Sequence, residues 1–156
     1  MRNLIVYPNP ILSMKAIPYG EKEKISPTLI SDMLQIMYDY GGVGLSGPQV
    51  GVSKRIIIFV DPAKNEYTCL INPEFFPIED TMEYSDEGCL SCPNVYGPIY
   101  RYKKIHIIGE TSKRKKIEFD GEGLIARIIQ HEVDHLNGIT LLDRMDVITR
   151  FSQQSV

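Results

Sequence analysis

The sequence predicts an α+β fold in which antiparallel strands pack around a central helix carrying a His-Glu-x-x-His pattern, as one compact domain over residues 1–156. Three observations lead there. Apolar, β-branched runs gather in the middle of the chain, and helical patterns lie before and after them. No internal repeat, low-complexity segment or linker divides the sequence. With 156 residues, 43% hydrophobic and 24% charged, the chain is large enough to bury its own core.

The same composition narrows the partners. A net charge of −3 gives no basis for a sequence-specific nucleic-acid partner. No apolar run reaches membrane-spanning length and the N-terminus lacks a basic-then-apolar leader, so no membrane partner is expected. Three cysteines, an odd number, fit a reducing compartment better than a disulfide framework, which makes the cytoplasm the expected location.

Taken in order, Leu4-Ile5-Val6-Tyr7 is closed by Pro8 and Pro10 and predicts an extended arm or edge segment. Ser13 to Lys24 reads as irregular, with turns at Pro18 and Gly20. Ser26 and Pro27 supply an N-cap and a first-turn proline. Leu29, Ile30, Met33, Leu34, Met37 and Tyr40 follow at helical spacing, and Gly41-Gly42 ends this packing helix. Gly42, Gly44, Gly47 and Gly51 punctuate the next stretch. A phosphate-cradling loop would need a following Lys-Ser/Thr, which is missing. A plain turn and a loop that lets a ligand backbone approach remain open, with Gln49 offering an amide donor.

Arg55 to Val60 predicts a strand ended by Asp61-Pro62, and Thr68 to Pro73 another, with Cys69 as a small core residue. Asp86 to Pro93 reads as a polar, turn-rich segment carrying Cys89 and Cys92. Lys104 to Glu110 and Lys115 to Phe119 predict two antiparallel strands around Thr111 to Arg114. His106 alternates with isoleucines there and so points to the other face, and Lys113 to Lys116 form a solvated tip. Leu141, Leu142, Met145, Ile148 and Phe151 predict a short closing helix.

The chemistry concentrates in Gln130-His131-Glu132-Val133-Asp134-His135. Residues four apart on a helix share a face, so His131 and His135 can converge on one metal ion. Glu132 then stands beside a water whose pKa the ion lowers, placed to move its proton. Leu124, Ile128 and Leu136 carry the helical period, with Asp120-Gly121 as the expected start and Asn137-Gly138 as the stop. A catalytic site of this kind takes three protein ligands and leaves one position open. Past His135 there is no histidine, and the acids Asp143 and Asp146 fit poorly, so the third ligand lies upstream. A second Cys-x-x-Cys and a thioredoxin-like pattern are both missing, which favours Cys89 as that ligand and Cys92 as a bystander.

Gly42-Val43-Gly44-Leu45-Ser46-Gly47-Pro48-Gln49, Glu87-Gly88-Cys89-Leu90-Ser91 and Gln130 to His135 resemble, in that order and spacing, the three motifs of peptide deformylases. The resemblance runs from the proline-rich start to Leu142-Asp143-Arg144. It implies removal of the formyl group from the N-terminal formylmethionine of nascent polypeptides. It implies Cys89, His131 and His135 as metal ligands, with Fe(II) as the ion and Ni, Co or Zn as replacements. Glu132 becomes the catalytic carboxylate, Gln49 and the Leu90 N–H the donors to the formyl oxygen, and Glu87 with Arg101 a supporting ion pair. The peptide is expected to add as a strand beside Val43 and Gly44. Gly88, Leu124, Arg127 and Ile128 are expected around the substrate, Arg127 with its stem packed and its head reaching solvent.

Two departures from the family pattern stand out. Ser46-Gly47 replaces the usual Ala-Ala, which bears on the stiffness of the loop and on rate. The chain ends at Val156, where many bacterial members continue into a helix that docks on the ribosome. Stable docking by that helix is therefore not expected, only transient contact with the ribosome. A monomer is expected as well. Two other readings compete. A small zinc peptidase would need its third ligand after His135, and a binding module stapled by metal would fill all four positions.

Overall fold

The computed structural model describes residues 1–145. The N-terminal arm is extended as far as a cis Tyr7-Pro8 bond and a 3-10 turn over Pro10–Ser13. It is tied down by Ile5 N–H donating to Gln49 O at 2.8 Å and by Tyr7 N–H donating to Ser91 O at 2.8 Å. Helix α1 spans Pro27–Asp39, with the Ser26 hydroxyl oxygen accepting from Leu29 N–H. Strand β1 is Gly44–Ser46, followed by a 3-10 turn over Gly47–Val50. Strands β2 (Ile56–Asp61) and β3 (Glu66–Pro77) come next, then β4 (Met82–Cys89), β5 (Cys92–Tyr102), β6 (Lys104–Glu110) and β7 (Lys116–Glu122). Helix α2 covers Leu124–Leu136 and α3 covers Leu141–Arg144.

All strand pairs are antiparallel. Five strands form a sheet in the order β1-β2-β3-β6-β7, and β4 and β5 form a separate two-stranded hairpin. The sheet separates two cores. Ile57, Phe59, Leu70, Ile105 and Ile107 meet Ala126, Ile129, Val133 and Leu136 of α2 on one face. Ile56, Ile58 and Ile71 meet Leu29, Met33, Ile36 and Met37 of α1 on the other. That division explains why β2 is apolar at successive positions rather than alternate ones: both of its faces are covered. A third, smaller core under the hairpin contains Cys92, Ile99, Leu141 and Met145.

The turn-rich Asp86 to Pro93 segment is the end of β4, a two-residue turn and the start of β5, with Cys89 opposite Cys92. The α2 helix starts at Leu124 rather than near Asp120-Gly121, because those residues extend β7 beside Ile105 and His106. The closing helix is short among the described residues, Leu141–Arg144, and the expected positions Ile148 and Phe151 lie outside them. His106 does leave the isoleucine face: Ile105 and Ile107 are buried, while its ring bonds Asp120 at 2.7 Å and Glu118 at 3.0 Å.

Candidate active site

Helix α2 has ten of its thirteen residues buried, so His131 and His135 ride on a backbone clamped between the sheet and the hairpin. Gln130 fastens it further by bonding both the Tyr102 N–H and the Tyr102 carbonyl at the end of β5. The hairpin turn brings Cys89 to the same place. The ligand atoms of Cys89, His131 and His135 all lie within 4.8 Å of one another. Cys89 Sγ stands 3.3 Å from His135 Nε2.

The protonation of each donor follows from its neighbours. Burial alone would raise the Glu87 carboxyl, but hydrogen bonds from His131 and Arg101 hold it down at about 2. It is therefore a carboxylate, an acceptor only, and the proton on its 2.9 Å bond to His131 belongs to Nδ1. This leaves Nε2 of His131 with a lone pair for an ion, the orientation that a carboxylate behind a ligating histidine usually provides. Burial opposes the His131 cation, yet the Glu87 bond and the charges of Glu132 and Glu87 raise its pKa. Burial pushes His135 well below its ordinary value, so it is neutral and able to ligate. The Cys89 thiol is held well above its ordinary value, first by a hydrogen bond with Cys92 and then by burial. A cation reverses that balance, because a coordinated thiol gives up its proton. One thiolate and two imidazoles with an open side fit a borderline divalent ion.

Glu132 is 4% exposed, and burial first of all lifts its carboxyl to about 7. Its Oε2 finds no protein partner among the described residues, so one oxygen is uncommitted. Gly44 is what admits this side chain: a Cβ there would stand 2.7 Å from Glu132 Oε1 and 3.0 Å from Ile128. Gln49 is oriented from behind. Its Oε1 accepts from Ser46 N–H at 3.0 Å and from the Ser46 hydroxyl at 2.9 Å. Its Nε2 thereby faces Ser91 Oγ at 3.1 Å and Cys89 Sγ at 3.7 Å.

These groups line a cleft of about 370 Å³. Val43, Gly44, Gly88, Leu90, Leu124 and Ile128 form much of its wall, Leu124 and Val43 at its exposed rim. Glu87 and Arg101 form a two-bond ion pair at 2.9 and 3.0 Å beneath it. Arg127 also borders the cleft, but its head does not reach solvent: Nη1 donates to Glu87 at 2.6 Å and to Ile99 O at 3.0 Å. A buried carboxylate captures it, which the helical face alone did not reveal. Ser46-Gly47 proves tight rather than loose, since a Cβ at Gly47 would stand 2.6 Å from Lys54 O and 2.7 Å from Val52 O.

Several participants escaped the sequence reading. Asp134, inside the motif itself, takes a hydrogen bond from Arg101 and two from Arg144 at 2.9 and 2.7 Å. Its position one residue before His135 was the available signal. Tyr40, Asp86 and Tyr96 add to the cleft wall, and nothing in their spacing marked them.

A model of the family described as polypeptide deformylase matches residues 1–151. The chain belongs to the polypeptide deformylase family. Members of this family are hydrolases that remove formyl groups. Similar to it is a peptide deformylase of Desulforudis audaxviator, 43% identical over 148 residues that cover 93% of this chain and 94% of the relative. Among solved deformylases, that of Legionella pneumophila superposes with a TM-score of 0.89 at 34% identity, covering 99% of this chain and 92% of its own. A class I type b deformylase of Acinetobacter baumannii, solved with Met-Ala-Ser bound, gives 0.85 at 32% identity over 93% of this chain and 98% of its own. In this chain the cysteine turn, the glycine-rich strand and the histidine helix meet around one cleft.

Proposed function

We propose that the chain, acting as a single catalytic domain, removes the formyl group from the N-terminal formylmethionine of nascent polypeptides. Cys89, His131 and His135 would hold the metal, taken as Fe(II) from the resemblance to deformylases, with Zn, Ni or Co able to replace it, since a thiolate and two imidazoles suit all of these ions. The bound ion supplies Lewis acidity, polarising the formyl carbonyl and making water more acidic. Glu132 accepts a proton from the attacking water through its uncommitted Oε2 and returns it to the departing amine nitrogen as the C–N bond breaks and formate leaves. Burial raises the pKa of this carboxyl, which favours its holding the proton between the two transfers. Gln49 Nε2 and the Leu90 N–H meet the charge that grows on the formyl oxygen.

The substrate backbone runs beside Val43 and Gly44, where β1 is the edge strand of its sheet and can add a partner. Its methionine rests among Gly88, Leu124, Ile128 and the stem of Arg127. The Acinetobacter deformylase with Met-Ala-Ser bound supports a peptide of this kind in the cleft. A cytoplasmic monomer that meets nascent chains transiently at the ribosome suits the chemistry, because a reducing compartment preserves the Cys89 thiolate.

One observation carries the proposal: three converging soft and borderline donors beside a buried carboxyl raised to about 7, at the edge of a cleft. The experiment is formate release from formyl-Met-Ala-Ser by protein loaded anaerobically with Fe(II) or Ni(II). Glu132→Gln should retain the metal and lose about 10²–10⁴ in kcat. A folded, metal-loaded parent that releases no formate refutes deformylation, and an active Glu132→Gln refutes the role of Glu132.

A further inference from the structure

Cys92 is a buried nucleophile beside the site that the proposed reaction does not use. It is the register partner of Cys89 across the β4–β5 turn, with only Leu90 and Ser91 between them. Antiparallel partners hold their Cα atoms about 4.5–5.5 Å apart. The ladder shifts register between Gly88 and Cys89, and a disulfide spans about 4.4–6.8 Å between Cα atoms, a range that covers register partners. Cys89 borders the open cleft, whereas Cys92 sits behind it against Ile99, Leu141 and Met145. A small oxidant thus meets Cys89 first, with Cys92 waiting at its back.

We propose that Cys89 and Cys92 are a peroxide-responsive pair that closes a reversible disulfide, withdrawing the sulfur ligand from the metal centre and sparing Cys89 from irreversible oxidation. The Cys89 thiolate attacks one oxygen of hydrogen peroxide, the O–O bond breaks, and a sulfenic acid and hydroxide result. The Cys92 sulfur then attacks the Cys89 sulfur. The S–S bond forms, the S–O bond breaks, and the Cys92 proton leaves with that oxygen as water. Two thiols and one peroxide become one disulfide and two waters, and a dithiol reductant restores the pair. The link to metal loss rests on reading Cys89 as a ligand, as proposed above. Closure of the bond does not.

The test uses zinc-loaded protein, since zinc undergoes no redox change of its own. After hydrogen peroxide, the protein is denatured, alkylated and cut after glutamate, which releases a peptide beginning at Gly88 that holds Cys89 and Cys92 but not Cys69. The expected peptide is unalkylated and about 2 Da lighter than its reduced form. Zinc appears on a chromophoric chelator in step with it, and dithiothreitol restores both thiols and zinc binding. In Cys92→Ser that species is absent. Cys89 instead gains about 32 or 48 Da as sulfinic or sulfonic acid, which dithiothreitol does not reverse. A parent whose Cys89 over-oxidises while Cys92 is alkylated overturns the proposal, and so does a parent in which both thiols survive peroxide that oxidises the variant. Formate release by untreated protein is scored separately. An inactive protein that still closes the bond upholds the disulfide and overturns only its connection to deformylation.

Discussion

Ser46 shows how one side chain can set the direction of an amide, here that of Gln49, for which a catalytic role is proposed. Gln49 has an oxygen end and a nitrogen end of nearly equal shape, and only hydrogen-bonding partners decide which end faces the cleft. Two donors from Ser46, its N–H and its hydroxyl, claim the oxygen end, and the nitrogen end is left facing Cys89 and Ser91. Ser46→Ala removes the hydroxyl and keeps the N–H. A net hydrogen bond of about 0.5–1.5 kcal/mol corresponds to roughly a twofold to tenfold loss. The loss should fall on kcat with KM nearly unchanged, because the amide acts on charge that develops only as the bond is attacked. Gln49→Ala, by contrast, should cost about 10²–10³ in kcat. Steady-state formate release with the two variants side by side checks both, and an unaltered kcat in Ser46→Ala would show that the N–H alone orients the amide.

At the scale of elements, legibility followed burial. Helix α1 and strands β2, β6 and β7 were readable because each turns an apolar period toward the core, and α2 because its motif and its period coincide. The β4–β5 hairpin was not, since most of β4 is exposed and offers no alternation to read. It is held instead by cross-strand partners such as Tyr84 and Tyr100, whose rings stack at 4.2 Å, and by ion pairs from Glu87 that no local pattern announces. The β6–β7 hairpin gives a pH prediction. His106 lies between Asp120, its register partner, and Glu118, and their hydrogen bonds raise its pKa above the ordinary value. A folded-state pKa above the unfolded one stabilises fully below about 6.5 and fades as pH rises through the folded value. The melting temperature of the parent should therefore exceed that of His106→Gln most clearly near pH 6, and the gap should shrink as pH rises through the folded value. Because His106 is exposed, the gap will be small. A gap that widens with rising pH would contradict the assignment.

Across the whole molecule, the donors come from two separately built parts. Cys89 belongs to the hairpin, and His131 and His135 belong to the helix on the large sheet. What joins the parts is a buried set of charges: Glu87 of β4 with Arg101 of β5 and Arg127 of α2, and Asp134 of α2 with Arg101 and Arg144 of α3. The ligand types could be read from the sequence, but this network joins residues 87 to 144 only through folding. An ion held by Cys89, His131 and His135 spans the same junction, and the unfolded chain does not assemble that triad. Metal at a hundredfold excess over its dissociation constant should then stabilise the fold by about 2.7 kcal/mol. For a domain near this size, about 2–4 °C per kcal/mol makes that a rise of about 5–11 °C in melting temperature. Thermal melts of the chelated protein with added Ni(II) or Zn(II) should show the rise growing with concentration and reversing with chelator. In Cys89→Ser, with one donor lost, most of the rise should vanish. If parent and variant melt together at every metal concentration, the three side chains do not share an ion, and the metal-dependent reaction proposed for this cleft fails with them.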